Sequence, residues 1–185
     1  MYGLPKIHKP GVPLRPILSM TGSPQYEVSK WLCKVLQPVC KRYNTHCVKD
    51  SFEFINLLRN DKLPSDGHMC SFNIVSLFTN VPLEETIQIC AEALYQNGVL
   101  EPVICSLSER SFCKLLRMVT LGAEFSFNDI MYKQVDGVAM GSPLGPILAN
   151  IFVGWCESQV SSEAWPHLYC RFVDDSFAHF KVSPI

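Results

Sequence analysis

Tyr169-Cys170-Arg171-Phe172-Val173-Asp174-Asp175-Ser176-Phe177-Ala178-His179-Phe180 sets two adjacent carboxylates inside an apolar run. Aromatic and β-branched residues favour strands, so the stretch predicts a hairpin with the acids where one strand turns into the next. Asp is common in turns, and an Asp-Asp turn is the plain reading of the pair. Two neighbouring acids in an apolar hairpin nevertheless repel each other and are costly to desolvate. Divalent cations remove that conflict, because Mg²⁺ takes oxygen ligands and neutralises them. The rest of the chain decides between the two readings.

Upstream lies Gly137-Val138-Ala139-Met140-Gly141-Ser142-Pro143-Leu144-Gly145-Pro146. Small residues give way to a Ser142 cap, Pro143 and a long apolar helix over about 143–158. A glycine-rich loop feeding a helix lets backbone amides approach a base pair or a phosphate. No Gly-Lys-Ser/Thr follows, so this is not a Walker loop. Nor does Ser142 have the flanks of a nucleophile elbow. Taken alone, the loop reads as a helix entry. Phe125 to Tyr132 alternates around Asn128-Asp129, which predicts a β-hairpin. Ser106-Leu107-Ser108-Glu109 reads as a capping box for a helix over 108–120, with Gly122 to end it. Pro82 opens another helix over 83–96. Cys70 to Phe78 reads as a buried strand ending near Thr79-Asn80.

The first third has a different character. Pro10-Gly11 predicts a turn between two short extended arms. Lys6, Lys9 and Arg15 would project from that hairpin, either toward phosphates or simply into solvent; the planar fork of Arg suits triphosphate oxygens. Ser23-Pro24 starts a helix over 24–40, with Val28, Leu32, Val35, Leu36 and Val39 at helical spacing. Asp50-Ser51-Phe52-Glu53 starts a second helix over 51–59, with Phe54, Ile55 and Leu58 facing the core.

The chain has 185 residues, 48% hydrophobic and 18% charged, enough for a real core and too apolar for disorder. Its longest apolar run, Leu144 to Trp155, is far shorter than a membrane span and holds Asn150. No membrane role is expected. The nine cysteines form no CxxC and no zinc spacing. An odd count without a leader pattern points to reduced thiols inside a cell. Residues 1–49 hold eight Lys/Arg against one acid, Glu27, a net +7; the remainder holds eight against sixteen, a net −8. A basic lobe beside an acidic one suits a polyanion held next to a metal centre, and equally an ordinary solvated surface.

The order of these parts resembles the fingers and palm of reverse transcriptases. The wording is closer still to the Penelope-like retroelement group. It is carried by Tyr2-Gly-Leu-Pro-Lys-Ile-His-Lys-Pro, Leu14-Arg-Pro-Ile, Ser71-Phe-Asn-Ile-Val-Ser-Leu-Phe-Thr-Asn-Val-Pro, Gly137-Val-Ala-Met-Gly-Ser-Pro-Leu-Gly-Pro and Arg171-Phe-Val-Asp-Asp. The resemblance implies an α+β polymerase palm: an antiparallel sheet over 71–78, 125–134 and 169–180, backed by helices. Residues 1–68 would be partial fingers and 69–185 palm, with the family's thumb missing. It implies RNA-directed DNA polymerisation on an RNA template and DNA primer, with dNTP as substrate and two Mg²⁺ ions; no small-molecule cofactor is implied. Asp174 and Asp175 would be ligands, with the backbone carbonyl of Ile74 a further one. Phe78 would crowd a 2′-hydroxyl, or is a plain core residue. Arg15 and, more weakly, Lys6 would hold the triphosphate. Gly141 and Ser142 would pack on the template base pair, while Met140 stands where related enzymes often have Gln. Retroelement copying implies the nucleus.

One residue breaks the pattern. The family calls for Asp where this chain has Asn73. An amide keeps one acceptor oxygen, carries no charge and turns NH₂ donors toward a cation. The expectation is an impaired enzyme, a decaying retroelement copy. The alternative is a non-catalytic nucleic-acid-binding module that kept the fold. An unrelated metal-dependent hydrolase would leave the Leu14-Arg-Pro-Ile and Gly-Ser-Pro stretches unexplained.

Overall fold

The computed structural model describes residues 1–7, 9–61, 63–64, 66–96 and 107–181. At the N-terminus β1 (Tyr2–Pro5) pairs antiparallel with β2 (Leu14–Ile17), Tyr2 opposite Ile17 and Pro5 opposite Leu14. The Lys9 amide donates to Lys6 O and the Val12 amide to Lys9 O, so the chain turns at Pro10-Gly11 as expected.

The core is helical. In α1 (Pro24–Tyr43), Leu32, Val35, Leu36 and Val39 are buried. The helix runs past the expected end near residue 40, and Lys41 and Arg42 in its last turn suit the negative end of the helix dipole. Against it pack α4 (Glu109–Thr120) and α5 (Leu144–Ser158), and on those two packs α3 (Leu83–Ala91), all joined in one core with Ile87, Leu94, Phe112, Leu116, Leu148 and Ile151. The stretch expected to be helix to residue 96 changes register after Ala91 into a π-turn, Glu92–Gln96. The cap of α4 is Ser108, whose hydroxyl accepts from Ser111 N; the Ser106 end of the expected box lies outside the described residues.

The second helix differs from expectation. In α2 (Ser51–Asn60), Asp50 accepts from Glu53 N at 2.8 Å and Glu53 accepts from Lys49 N at 2.8 Å, a reciprocal cap. Yet none of its residues is buried. Phe54 and Leu58 are half-buried and Ile55 is exposed. The reason is placement: Phe54 meets Phe177 edge to face at 5.4 Å, so α2 lies on the sheet rather than among the core helices.

The sheet holds three strands, β3 (Gly67–Asn73), β6 (Leu168–Phe172) and β7 (Asp175–Lys181), in the antiparallel order β3-β7-β6. Two expectations need correction. The strand expected over 71–78 begins earlier and stops at Asn73, and it lies exposed at the sheet edge rather than buried. Ser76 is left-handed (φ 54), Thr79 Oγ1 donates to Ser76 O, and Asn80 Nδ2 donates to Val75 O and Ser76 O. These side chains offer the backbone an alternative to the ladder, and Leu77–Asn80 forms a 3₁₀ turn instead. The hairpin expected in the same sheet, β4 (Glu124–Phe127) and β5 (Ile130–Lys133), pairs only with itself. Asn128 and Asp129 both take positive φ, as a two-residue primed turn requires. Phe125 anchors this hairpin to a separate cluster of Leu18, Met20 and Ala139, away from the three-stranded sheet. Among the described residues no helix is long and apolar enough to cross a membrane.

Candidate active site

The register of the sheet builds the site. Asn73 stands opposite Asp175, and Asp175 opposite Phe172. Val173 and Asp174 make the turn, with Val173 in the left-handed region at φ 57. The Ile74 amide donates to Asp174 O at 2.8 Å, fastening the turn to the end of β3. Asp174, Asp175, Asn73 and Ile74, far apart in sequence, therefore converge on one corner.

Asn73 decides the electrostatics of that corner. Its Nδ2 donates to Asp175 Oδ1 at 2.8 Å and to Asp174 Oδ2 at 3.5 Å. One neutral amide thus bridges both carboxylates, its positive hydrogens lying between them. The donor set does not fit two Mg²⁺ ions: it offers two carboxylates rather than three, and NH₂ hydrogens point between them. Among the described residues no group of three or more His, Cys, Asp or Glu is placed to hold a metal.

Behind the corner is a buried polar network that the sequence reading missed. Arg171 is 0% exposed. Its Nε donates to Glu157 Oε1 at 2.6 Å, and its two terminal nitrogens donate to Glu157 Oε2, Asn44 Oδ1, Asn150 Oδ1 and Val173 O. Tyr169 Oη donates to Glu157 Oε1 at 2.9 Å and lies 3.2 Å from Ser176 Oγ. Burial pulls the Arg171 pKa down, but the hydrogen bonds and charge of Glu157 outweigh it and leave the guanidinium above its ordinary value. Burial pushes the Tyr169 phenol up, and the Glu157 charge adds to it against the Ser176 hydrogen bond. The one signal in the sequence was a lone Arg inside an apolar strand.

The remaining predicted residues sit on other elements: the loop before α5, the turn after β3 and the β1–β2 hairpin. Leu18 N donates to Met140 O at 2.7 Å. Gly141 has φ +119, and a Cβ there would meet Leu18 O at 2.2 Å, so only glycine fits between this loop and the end of β2. Ser142 is buried and its Oγ accepts from Leu144 N at 3.3 Å, which makes it part of the α5 entry. Phe78 is half-buried; its carbonyl accepts from Val138 N at 2.7 Å and its ring lies over Gly145. Arg15 is exposed on β2 opposite Leu4, and Lys6 is half-buried just past β1. Neither forms an ion pair among the described residues, and both stand outside the hydrogen bonds of the corner. A cavity of about 640 Å³ opens on the face that carries Asn73 and Asp175, bounded by Lys49, Phe54, Phe172 and Phe177.

No protein-family model matches the chain, and no curated protein sequence does. Solved structures do match. Apo telomerase from Candida tropicalis, truncated from its C-terminal domain, superposes with a TM-score of 0.64 at 17% identity, over 85% of this chain and 35% of that one. Telomerase from Candida albicans, in complex with a TWJ fragment of telomeric RNA, gives 0.59 at 14% identity, over 83% and 30%. A further apo Candida tropicalis telomerase structure gives 0.60 at 13% identity, over 83% and 32%. The chain spans about a third of the length of these proteins. The likeness shows the fold: this chain shares the α+β fold of the matched part of telomerase, with an antiparallel sheet and helices in a partial palm-like arrangement.

Proposed function

We propose that the chain carries the nucleotidyl-transfer part of a reverse transcriptase of the Penelope-like kind, acting on an RNA template, a DNA primer and dNTP in the nucleus, and that Asn73 impairs it. The carrying observation is the amide of Asn73 bridging Asp174 and Asp175 at the corner of a reverse-transcriptase-like fold. Arg15 and Lys6 are proposed to take the triphosphate, and Phe78 to face the sugar. Asp at position 73 would complete a three-carboxylate set able to hold two Mg²⁺ ions, which would activate the attacking oxygen and neutralise the leaving one. Without it the corner lacks the charge that the chemistry needs. A loss of ~4 kcal/mol of transition-state stabilisation slows a reaction roughly 10³-fold. Primer extension with Mg²⁺ therefore compares the chain as it stands with Asn73→Asp. The expected result is a rate gain of about 10³-fold in the variant. Equal, robust dNTP incorporation by both would defeat the proposal.

A second reading is a nucleic-acid-binding module without catalysis. The same amide bridge favours it, because the two acids are already neutralised in part without a cation. The telomerase neighbour in complex with telomeric RNA lends a precedent for binding on this fold. Asn73→Asp that stays inert while primer–template binding persists would select this reading.

A further inference from the structure

The buried network on the face of the β6–β7 hairpin away from the acids reaches the turn itself. Val173 is β-branched and holds φ 57, a left-handed conformation that such residues rarely adopt. Something must stabilise it, because its peptide with Asp174 sets where the Asp174 carboxylate points. The Arg171 guanidinium donates to Val173 O at 3.1 Å from the same nitrogen that donates to Asn150 Oδ1 at 2.9 Å. A charge-assisted hydrogen bond is of the same order as the strain. Arg171 is itself held on several sides. Glu157 holds it by two oxygens, Asn44 fixes its other terminal nitrogen, and its main chain is tied to His46 O and Val48 N. On the far side of the turn, Ser176 meets Tyr169, which shares Glu157.

We propose that Arg171 is a positioning residue: braced by Glu157, Asn44 and Asn150, it holds the Val173–Asp174 peptide in its left-handed turn and thereby aims the two carboxylates. Their use as an ion-binding corner rests on the function proposed above; the geometric role does not. Lys at this position keeps the charge beside Glu157, but a single ammonium cannot also span Asn44, Asn150 and Val173 O.

The reporter is the Ile74 amide, which bonds to Asp174 O and so reads the turn directly. Amide hydrogen exchange is measured on the chain as it stands, and the same substitutions are placed in Asn73→Asp for Mn²⁺ titration. Arg171→Lys is expected to lower Ile74 protection about tenfold while mid-sheet amides such as Phe177 keep theirs, and to weaken Mn²⁺ binding in Asn73→Asp by about tenfold. Asn150→Ala, which leaves Arg171 in place, should lower Ile74 protection about threefold and decides the matter if Arg171→Lys does not fold. Val173→Gly relieves the strained φ, so adding it to Arg171→Lys should restore Ile74 protection to within about twofold. The proposal is overturned if Ile74 protection is unchanged, if it falls only in step with the mid-sheet amides, or if Val173→Gly restores nothing. If Asn73→Asp gains no Mn²⁺ affinity while Ile74 opens as expected, the polymerase reading fails and the positioning role stands.

Discussion

The two faces of the β6–β7 hairpin handle charge in opposite ways. Behind, Arg171 and Glu157 are buried and every polar atom of the guanidinium has a partner. In front, Asp175 and Asn73 are exposed, Asp174 is half-buried, and a neutral amide is what links the acids. Successive strand residues point to opposite faces, so one short hairpin separates the support from the chemistry. The contrast explains how position 73 can carry an amide in place of an acid without cost to the fold. The amide at position 73 changes the front face alone, and the brace behind holds the turn regardless.

Substitutions that treat the two faces alike should break them apart. After the roughly 10³-fold rate gain expected for Asn73→Asp, the largest effect belongs to the rear face. Glu157→Gln leaves the buried guanidinium without a counter-charge and should destabilise the fold by about 3–5 kcal/mol, read from urea unfolding midpoints. The same acid-to-amide change in front, Asp175→Asn, should shift stability by less than about 1 kcal/mol, because the group is exposed. Comparable losses from both would mean that the two faces are not energetically distinct. The smallest effect lies farther out. Arg15→Ala, placed in Asn73→Asp, should raise the KM for dNTP by roughly threefold; an unchanged KM would remove Arg15 from the proposed triphosphate contacts.

Much of this was legible in the sequence wherever a local pattern sufficed. The β6–β7 hairpin announces itself by aromatic and β-branched residues around two acids, and the primed turn at Asn128-Asp129 by its composition. Asn73 became informative once the resemblance assigned it a place; its hydrogen bonds to acids a hundred residues later are set by register. Other features could not be read. The apolar run from Cys70 to Phe78 looks like one strand, yet Thr79 and Asn80 end it by bonding back to Ser76 and Val75. In α2 the helical spacing of Phe54 and Leu58 was correct, but spacing does not say what will cover a face. Arg171 was least visible, because its partners come from two places: Asn150 and Glu157 on α5, and Asn44 just past the end of α1, 127 residues away.

The edge position of β3 has a consequence for handling the protein in solution. The strand's seven residues include no Asp, Glu, Lys or Arg; among the described residues no strand pairs with its outer side, and Met69 and Phe72 are 71% and 53% exposed. Such an edge templates pairing with another chain unless a charge, a proline or a bulge blunts it. β3 has no acid, Lys, Arg, proline or bulge among its own residues, so concentrated preparations should self-associate strand to strand. Met69→Lys, a single gatekeeper charge on that border, should extend the concentration range over which light scattering reports monomer.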